Sequence, residues 1–156
     1  RTFSSAASDV YKRQILDISK TYELLETLSI PAFSYRQNNL PAFWYRDTKL
    51  QSTYRVESPE AIAKIYSIAR STDCCNGLLL CNPIPKKYSL DQMYLEPLIL
   101  NGVMELKKSN ITGKAFTPNL LKYLVEKTNG KTLLSNIELI KNNAILGAKV
   151  AKALDY

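Results

Sequence analysis

The C-terminal run from Lys131 to Asp155 constrains the fold most, because its pattern predicts one long helix. Its apolar side chains recur at the spacing of a helical face. They are Leu133, Ile137, Ile140, Ala144, Ala148 and Ala151. Gly130 is expected to end the preceding element, and Thr132 is the predicted N-cap. Ser135 and Glu138 offer a second capping register.

A second stripe of this helix carries two asparagines, Asn136 and Asn143. Seven residues are nearly two helical turns, so both carboxamides lie on one face. Because Ile140 and Val150 make that face mostly apolar, the carboxamides need hydrogen-bonding partners. The pattern allows two interpretations. The asparagines either cap neighbouring loops or line a pocket and hold a polar ligand.

Composition excludes some classes of chemistry. The chain has no histidine, which rules out a Ser-His or Cys-His nucleophile pair within it. The cysteines Cys74, Cys75 and Cys81 lack zinc-site spacing and are expected to be reduced thiols, with Cys81 buried, in a cytoplasmic setting. The net charge of +7 is scattered along the chain, which is typical of a solvated surface. RNA binding stays an alternative, although the aromatic residues fall in apolar periods rather than among lysines and arginines.

Periodicity and capping signals predict alternating helices and strands upstream of the last helix. Helices are predicted at residues 15–28, 59–72, 89–108 and 118–128, and strands at 32–35, 53–56 and 78–81, with a strand or extended segment at 40–45. Ser58 is expected to cap the second helix, a Ser89–Gln92 capping box to open the third, and Pro97 to kink or split it. The alternation of helices and strands places the chain in the α/β class.

The segment Asn76–Pro85, with the sequence NGLLLCNPIP, predicts a strand covered on both faces that runs into a stiff loop. In open α/β sheets, ligands lie beyond the carboxyl ends of the strands, where Asn82 is placed. Two prolines fix the backbone around Ile84, which lowers the entropic cost of presenting Asn82 to a ligand. The alternative is an ordinary turn between strand and helix.

Four motifs in a fixed order carry a resemblance to a known family. They are LPAFWYR at 40–46, NGLLLCNPIP at 76–85, ITGKAFTPNLL at 111–121 and SNIELIKNNAILGAKVA at 135–151. Together they resemble the C-terminal half of the pseudouridine-5'-phosphate glycosidases, also called the indigoidine synthase A-like family. The resemblance runs from Ile15 onward and implies an α/β/α sandwich that lacks its upstream half in this chain.

The resemblance also implies an activity. The family reversibly cleaves the C–C glycosidic bond of pseudouridine 5'-phosphate to uracil and ribose 5-phosphate, through a lysine Schiff base on the opened sugar. An electron sink of this kind suits a C–C bond, which has no basic leaving nitrogen. A divalent metal, typically manganese, and a homotrimeric assembly are further implications. The metal ligands, the acidic proton donor and a substrate lysine are expected in the missing upstream half.

Residue by residue, the resemblance transfers only in part. Arg13 stands at the position of the catalytic lysine and, since a guanidinium stays protonated, it cannot form a Schiff base. Asn136 matches an active-site asparagine of the family, and Asn82 and Thr117 are predicted to line the substrate pocket. The chain is therefore predicted to be inactive alone, and a non-catalytic homologue or small-ligand binding module is the alternative.

Residues 1–14 do not fit the fold pattern. The string SSAASDVYKRQ is similar to the translated read-through of a sequencing adapter, so we expect a non-native segment there and a glycosidase-domain part at 15–156.

If the sheet continues into missing strands, an exposed strand edge and apolar face are expected to promote association of the chain.

Overall fold

The computed structural model describes residues 18–72 and 77–154 of the 156-residue chain. Its elements, in chain order, are α1 (Ile18–Thr27), β1 (Ala32–Tyr35), β2 (Tyr54–Val56), α2 (Pro59–Ser71), β3 (Leu79–Cys81), a 3-10 turn (Lys86–Tyr88), α3 (Gln92–Lys108), a second 3-10 turn (Gly113–Ala115), α4 (Phe116–Lys127) and α5 (Lys131–Leu154). The alternation confirms the predicted α/β class. Arg13, Cys74, Cys75, Asp155 and the predicted segment 1–14 lie outside the described residues.

The three strands form a parallel sheet in the order β2-β1-β3. Phe33 pairs with Tyr54 on one side and with Leu80 on the other. Successive residues of a strand point to opposite faces, so Ala32 and Ser34 face one layer and Phe33 faces the other. Phe33 packs with Val56 and Ile62 against α2, and Val150 of α5 joins this cluster.

A second core lies between α3 and α4. Its buried members are Trp44, Leu95, Ile99, Leu106, Phe116, Leu120 and Leu124. Gly102 brings the two helices together, since a Cβ atom there would lie 2.7 Å from a ring carbon of Tyr123. The segment 40–45 serves this core with Trp44 and is a bent loop rather than the predicted strand or extended segment. Ala42 donates its N–H to the carbonyl of Tyr45, which closes the bend.

Capping was predicted correctly at one helix and wrongly at others. The Ser58 hydroxyl accepts the Ala61 N–H of α2, as expected. At α3 the cap is Asp91, which accepts the Met93 N–H, and not Ser89. Carboxylates favour helix N-termini strongly, so Asp91 wins this competition. Pro97 lies within α3 without splitting it, and α4 begins at Phe116, two residues before the predicted start.

The long last helix is confirmed as α5, but its predicted caps are not. Gly130 adopts a φ of +81° and ends the preceding segment, as expected. Thr132 and Ser135 are buried inside α5 instead of capping it. The Thr132 hydroxyl bonds to that of Thr128, and the Ser135 hydroxyl donates to the Tyr88 carbonyl. In the described part of the chain, no helix is long and apolar enough to cross a membrane.

Candidate functional site

The loop that follows β3 builds one wall of the candidate site. Asn82 comes directly after the strand, at its carboxyl end, as predicted. Pro83 and Ile84 are buried beneath it, and Ile84 is fully inaccessible to solvent. The Arg46 guanidinium donates to the Ile84 carbonyl at 2.6 Å, which fixes the loop backbone from below. Two prolines and this hydrogen bond therefore hold Asn82 in a defined position.

Helix α5 supplies the opposite wall and holds the same loop through two consecutive asparagines. The Asn82 side-chain N–H donates to the Asn143 carboxamide oxygen at 3.0 Å. The Asn142 side-chain N–H donates to the Pro83 carbonyl at 3.1 Å. Among the described residues, the Asn82 carboxamide oxygen and the Asn143 amide group make no further hydrogen bond. The pair thus offers one acceptor and one donor to a ligand.

A cavity of about 210 Å³ opens beside this pair. Its apolar walls come from α1, from the start of β1 and from the bent segment after it. Its floor is β3. Its lining includes Ile18 and Leu25 of α1, Cys81 of β3, Asn82, and Leu139 and Asn143 of α5. A mostly apolar cleft with a few convergent polar groups is the usual form of a small-molecule site.

The predicted site residues divide into two groups. Asn82 lines the cavity. Asn136 does not, although it lies on the Asn143 side of α5, seven residues and about 10 Å earlier along the helix. Thr117 lies in the first turn of α4, is half-buried and is not a lining residue either. Asn136 and Thr117 stay predictions, as does the role of position 13, which lies outside the described residues.

Two site features were missed by sequence reasoning. Asn143 was expected to share the face of Asn136, but its pairing with Asn82 depends on how α5 lies along the loop. Asn142 had no signal at all, since it belongs to neither apolar stripe. Asn143 both bonds to the loop residue Asn82 and lines the cavity, so it does not separate the two interpretations of the helix asparagines. Asn142, to which neither interpretation referred, caps a loop carbonyl.

The cavity lining carries little acid–base chemistry of its own. Among the described lining residues, only Tyr22 and Cys81 are titratable. Burial raises the pKa of the Cys81 thiol to about 11, so this free, half-buried cysteine is neutral near pH 7. Within residues 18–72 and 77–154, no group of three or more acidic, cysteine or histidine side chains could hold a metal ion. These residues can bind and orient a ligand through carboxamides and apolar contact.

The sequence matches known proteins over nearly its whole length. Residues 11–153 match the family described as indigoidine synthase A like protein. The chain is 43% identical over 143 residues to the pseudouridine-5'-phosphate glycosidase of Staphylococcus aureus, and the match covers 92% of this chain and 47% of that protein. It is 41% identical over 143 residues to the glycosidase of that name from Caldanaerobacter subterraneus, again covering 92% of this chain and 47% of the relative.

Solved structures agree with the sequence match. An indigoidine synthase A-like protein from Thermotoga maritima superposes with a TM-score of 0.79 at 35% identity, covering 91% of this chain and 46% of that one. A prealnumycin C-glycosynthase, solved with ribulose 5-phosphate, superposes with a TM-score of 0.78 at 25% identity, covering 90% of this chain and 46% of that one. The chain therefore spans about half the length of the relatives that it matches.

Proposed function

Because the chain belongs to the indigoidine synthase A-like family, we propose that it forms the C-terminal part of a pseudouridine-5'-phosphate glycosidase. The observation that carries this proposal is the 43% identity, over 92% of the chain, to a relative of that name. The structurally similar prealnumycin C-glycosynthase, solved with ribulose 5-phosphate, is consistent with chemistry at a C-glycosyl bond.

In this proposal the described residues bind and orient the substrate rather than break its bond. Uracil presents alternating N–H donors and carbonyl acceptors along its edge. The Asn82 oxygen and the Asn143 amide group offer the complementary acceptor and donor. The apolar walls exclude water around such a pair, which strengthens its hydrogen bonds. Asn136 and Thr117 are proposed to extend the pocket along α5 and α4.

The bond-breaking groups are proposed to lie elsewhere. The Schiff-base lysine that the family resemblance implies would stand at position 13, where this chain has arginine. The described residues do not form a metal site, so we assign the divalent metal, manganese by resemblance, to the part of the fold that this chain does not span. A homotrimeric assembly is proposed on the same resemblance, and a cytoplasmic location on the reduced thiols expected from the sequence.

The test joins the first half of the Staphylococcus aureus relative, ending in the lysine and serine that the family resemblance implies before Ile15, to residue Ile15 of this chain. The fusion places lysine at position 13. With manganese present, we expect it to release uracil from pseudouridine 5'-phosphate, and chromatography measures the uracil. The matched control restores arginine at position 13 and should lose the activity while keeping the fold. A well-folded lysine fusion that releases no uracil would overturn the proposed activity.

A second candidate is a binding module without catalysis, whose natural sequence would carry no Schiff-base lysine before Ile15. Arg13 lies in the segment expected to be non-native and does not decide between the two. This candidate predicts that the chain binds uracil or ribose 5-phosphate in calorimetry and that the lysine fusion gains no turnover. Substitution Asn82→Ala should then weaken binding, because it removes one partner of the carboxamide pair.

A further inference from the structure

The solvent-facing side of α5 carries a continuous row of apolar side chains. Its large members are 48%, 41% and 59% exposed at Leu133, Ile137 and Ile140. Ala144 and Ala148 continue the row and are also exposed. We call these five residues the outer stripe. An apolar stripe on a long helix ordinarily faces a core, so its exposure marks a surface that lacks its partner.

Other residues of α5 make the contacts with the rest of the described chain. The buried ones are Thr132, Ser135, Leu139 and Leu146. At about 100° per residue, Ile140 lies roughly 100° around the helix from Leu139. The outer stripe is therefore a second face, separate from the one that seats α5 on α2 and on the loop after β3.

Two further unfinished features lie beside this face. Parallel strands are normally covered on both sides, and β3 was predicted to be such a strand. All three of its residues are only half-buried, so the described fold does not cover it fully. In the described part of the chain, β3 pairs with β1 alone, so one strand edge is unpaired. The cavity is open, and Asn143 stands where the packed face of α5 meets the outer stripe, three residues from Ile140.

We propose that the outer stripe docks the polypeptide that makes up the other half of the family-length relatives. The length argues for this occupant, because the matched region is only 46–47% of each relative. A second copy could cover the stripe, but the open β3 edge and the open cavity also call for additional strands and loops. The docked half would lie against Ile140 and close the cavity over the Asn82–Asn143 pair.

The test mixes this chain with the separately produced first half of the Staphylococcus aureus relative and measures binding by calorimetry and sedimentation velocity. We expect binding with one-to-one stoichiometry, which three copies of each half would also give in the proposed homotrimer. Ile140→Lys should weaken it at least about tenfold, because a charge would be buried without a partner. Ile145→Lys is the matched control. Ile145 is 57% exposed on the same helix but lies about 140° away, one turn from both Lys141 and Lys149, and its change should leave binding intact.

Both lysine variants replace exposed side chains, and circular dichroism melts should confirm that each keeps the fold. Absence of a complex with the unchanged chain would overturn the proposal, as would equal weakening by the two substitutions. Self-association that Ile140→Lys abolishes, without binding of the relative's first half, would assign the stripe to a second copy instead. Because the readout is binding, a failed proposal here is distinguishable from a failure to release uracil.

Discussion

The α3–α4 unit and the region where α5 meets β3 differ in how completely they bury their apolar surface. Leu95 and Leu124 in the first are fully buried, and Gly102 lets the two helices approach closely. In the second, Ile140 is 59% exposed and every residue of β3 is half-buried. The interior between α3 and α4 is therefore closed, although α3 also exposes Met93, Leu100 and Met104 on its outer side, whereas the second region leaves both its strand and its helix partly uncovered. The family resemblance gives this difference its meaning, since the relatives are about twice as long.

The strongest test of the closed α3–α4 core removes a buried side chain. Leu124→Ala should lower the free energy of unfolding by about 2–5 kcal/mol, because it leaves a cavity at a fully buried site. Urea denaturation measures the change. Leu100→Ala, in the same unit but 58% exposed, should cost less than about 0.5 kcal/mol. Equal costs would show that the α3–α4 core is not closed.

The Cys81 thiol in the cavity floor tests how far the region around β3 is buried. Burial raises the pKa of Cys81 from 9.0 to about 11, so at pH 8 its thiolate is about a hundredfold scarcer than in an unshifted cysteine. Alkylation by iodoacetamide, mapped by mass spectrometry, should be slower by that factor and should accelerate up to pH 11. A plateau near pH 9 would contradict the burial of this group.

The same shift has a consequence for stability. The folded state retains the Cys81 proton to a higher pH than the unfolded chain does, so the thiol stabilises the fold below pH 9. That contribution should be lost as pH rises from 9 to 11. Cys81→Ala should remove this part of the alkaline decline in melting temperature. A decline that is identical in both proteins would assign it to other groups.

Two glycines offer a paired test with opposite signs. Gly102→Ala should destabilise the protein by about 1–3 kcal/mol, because the new Cβ would overlap Tyr123 and Leu120. Gly147→Ala on α5 meets nothing within 4 Å and should stabilise the helix by up to about 1 kcal/mol. Thermal melts of the two variants measure the contrast. Destabilisation by both substitutions would mean that the α5 surface is more crowded than described.

The smallest expected effect concerns the N-cap of α2, which lies outside both of the compared regions. Ser58→Ala removes the acceptor for the Ala61 N–H and should cost about 1 kcal/mol. Ser67→Ala, at an exposed position within the same helix, should change stability by less than about 0.5 kcal/mol. A cost at Ser67 that matched the cost at Ser58 would argue against the cap.

Local signals predicted the elements better than their surroundings. The strands at Ala32–Tyr35 and Tyr54–Val56 and the Ser58 cap depend on neighbouring residues, and the pattern found them. The segment 40–45 looked like a strand because aromatic residues favour strands, yet Trp44 is recruited into the helical core and the backbone bends. Asp91 displaced Ser89 as a cap because two good capping residues stood two positions apart.

The candidate site was predictable only where one element defines it. Asn82 follows from the rule that ligands lie beyond the ends of parallel strands. Its partner Asn143 does not, because the pairing depends on where α5 rests along a loop some 60 residues away in the chain. The pattern of α5 also could not tell which face meets the described fold, since apolar and hydroxyl residues share that role.

The two adjacent asparagines of α5 tie a distant surface to the ligand-facing side chain. Asn142 bonds to the Pro83 carbonyl of the loop and Asn143 bonds to Asn82, so a shift or rotation of the helix would strain both hydrogen bonds. A contact on the outer stripe that shifted α5 would therefore also move the Asn82 carboxamide, which lines the cavity. In the proposed complex, the position of α5 would therefore couple docking on the outer stripe to the geometry of the Asn82–Asn143 pair.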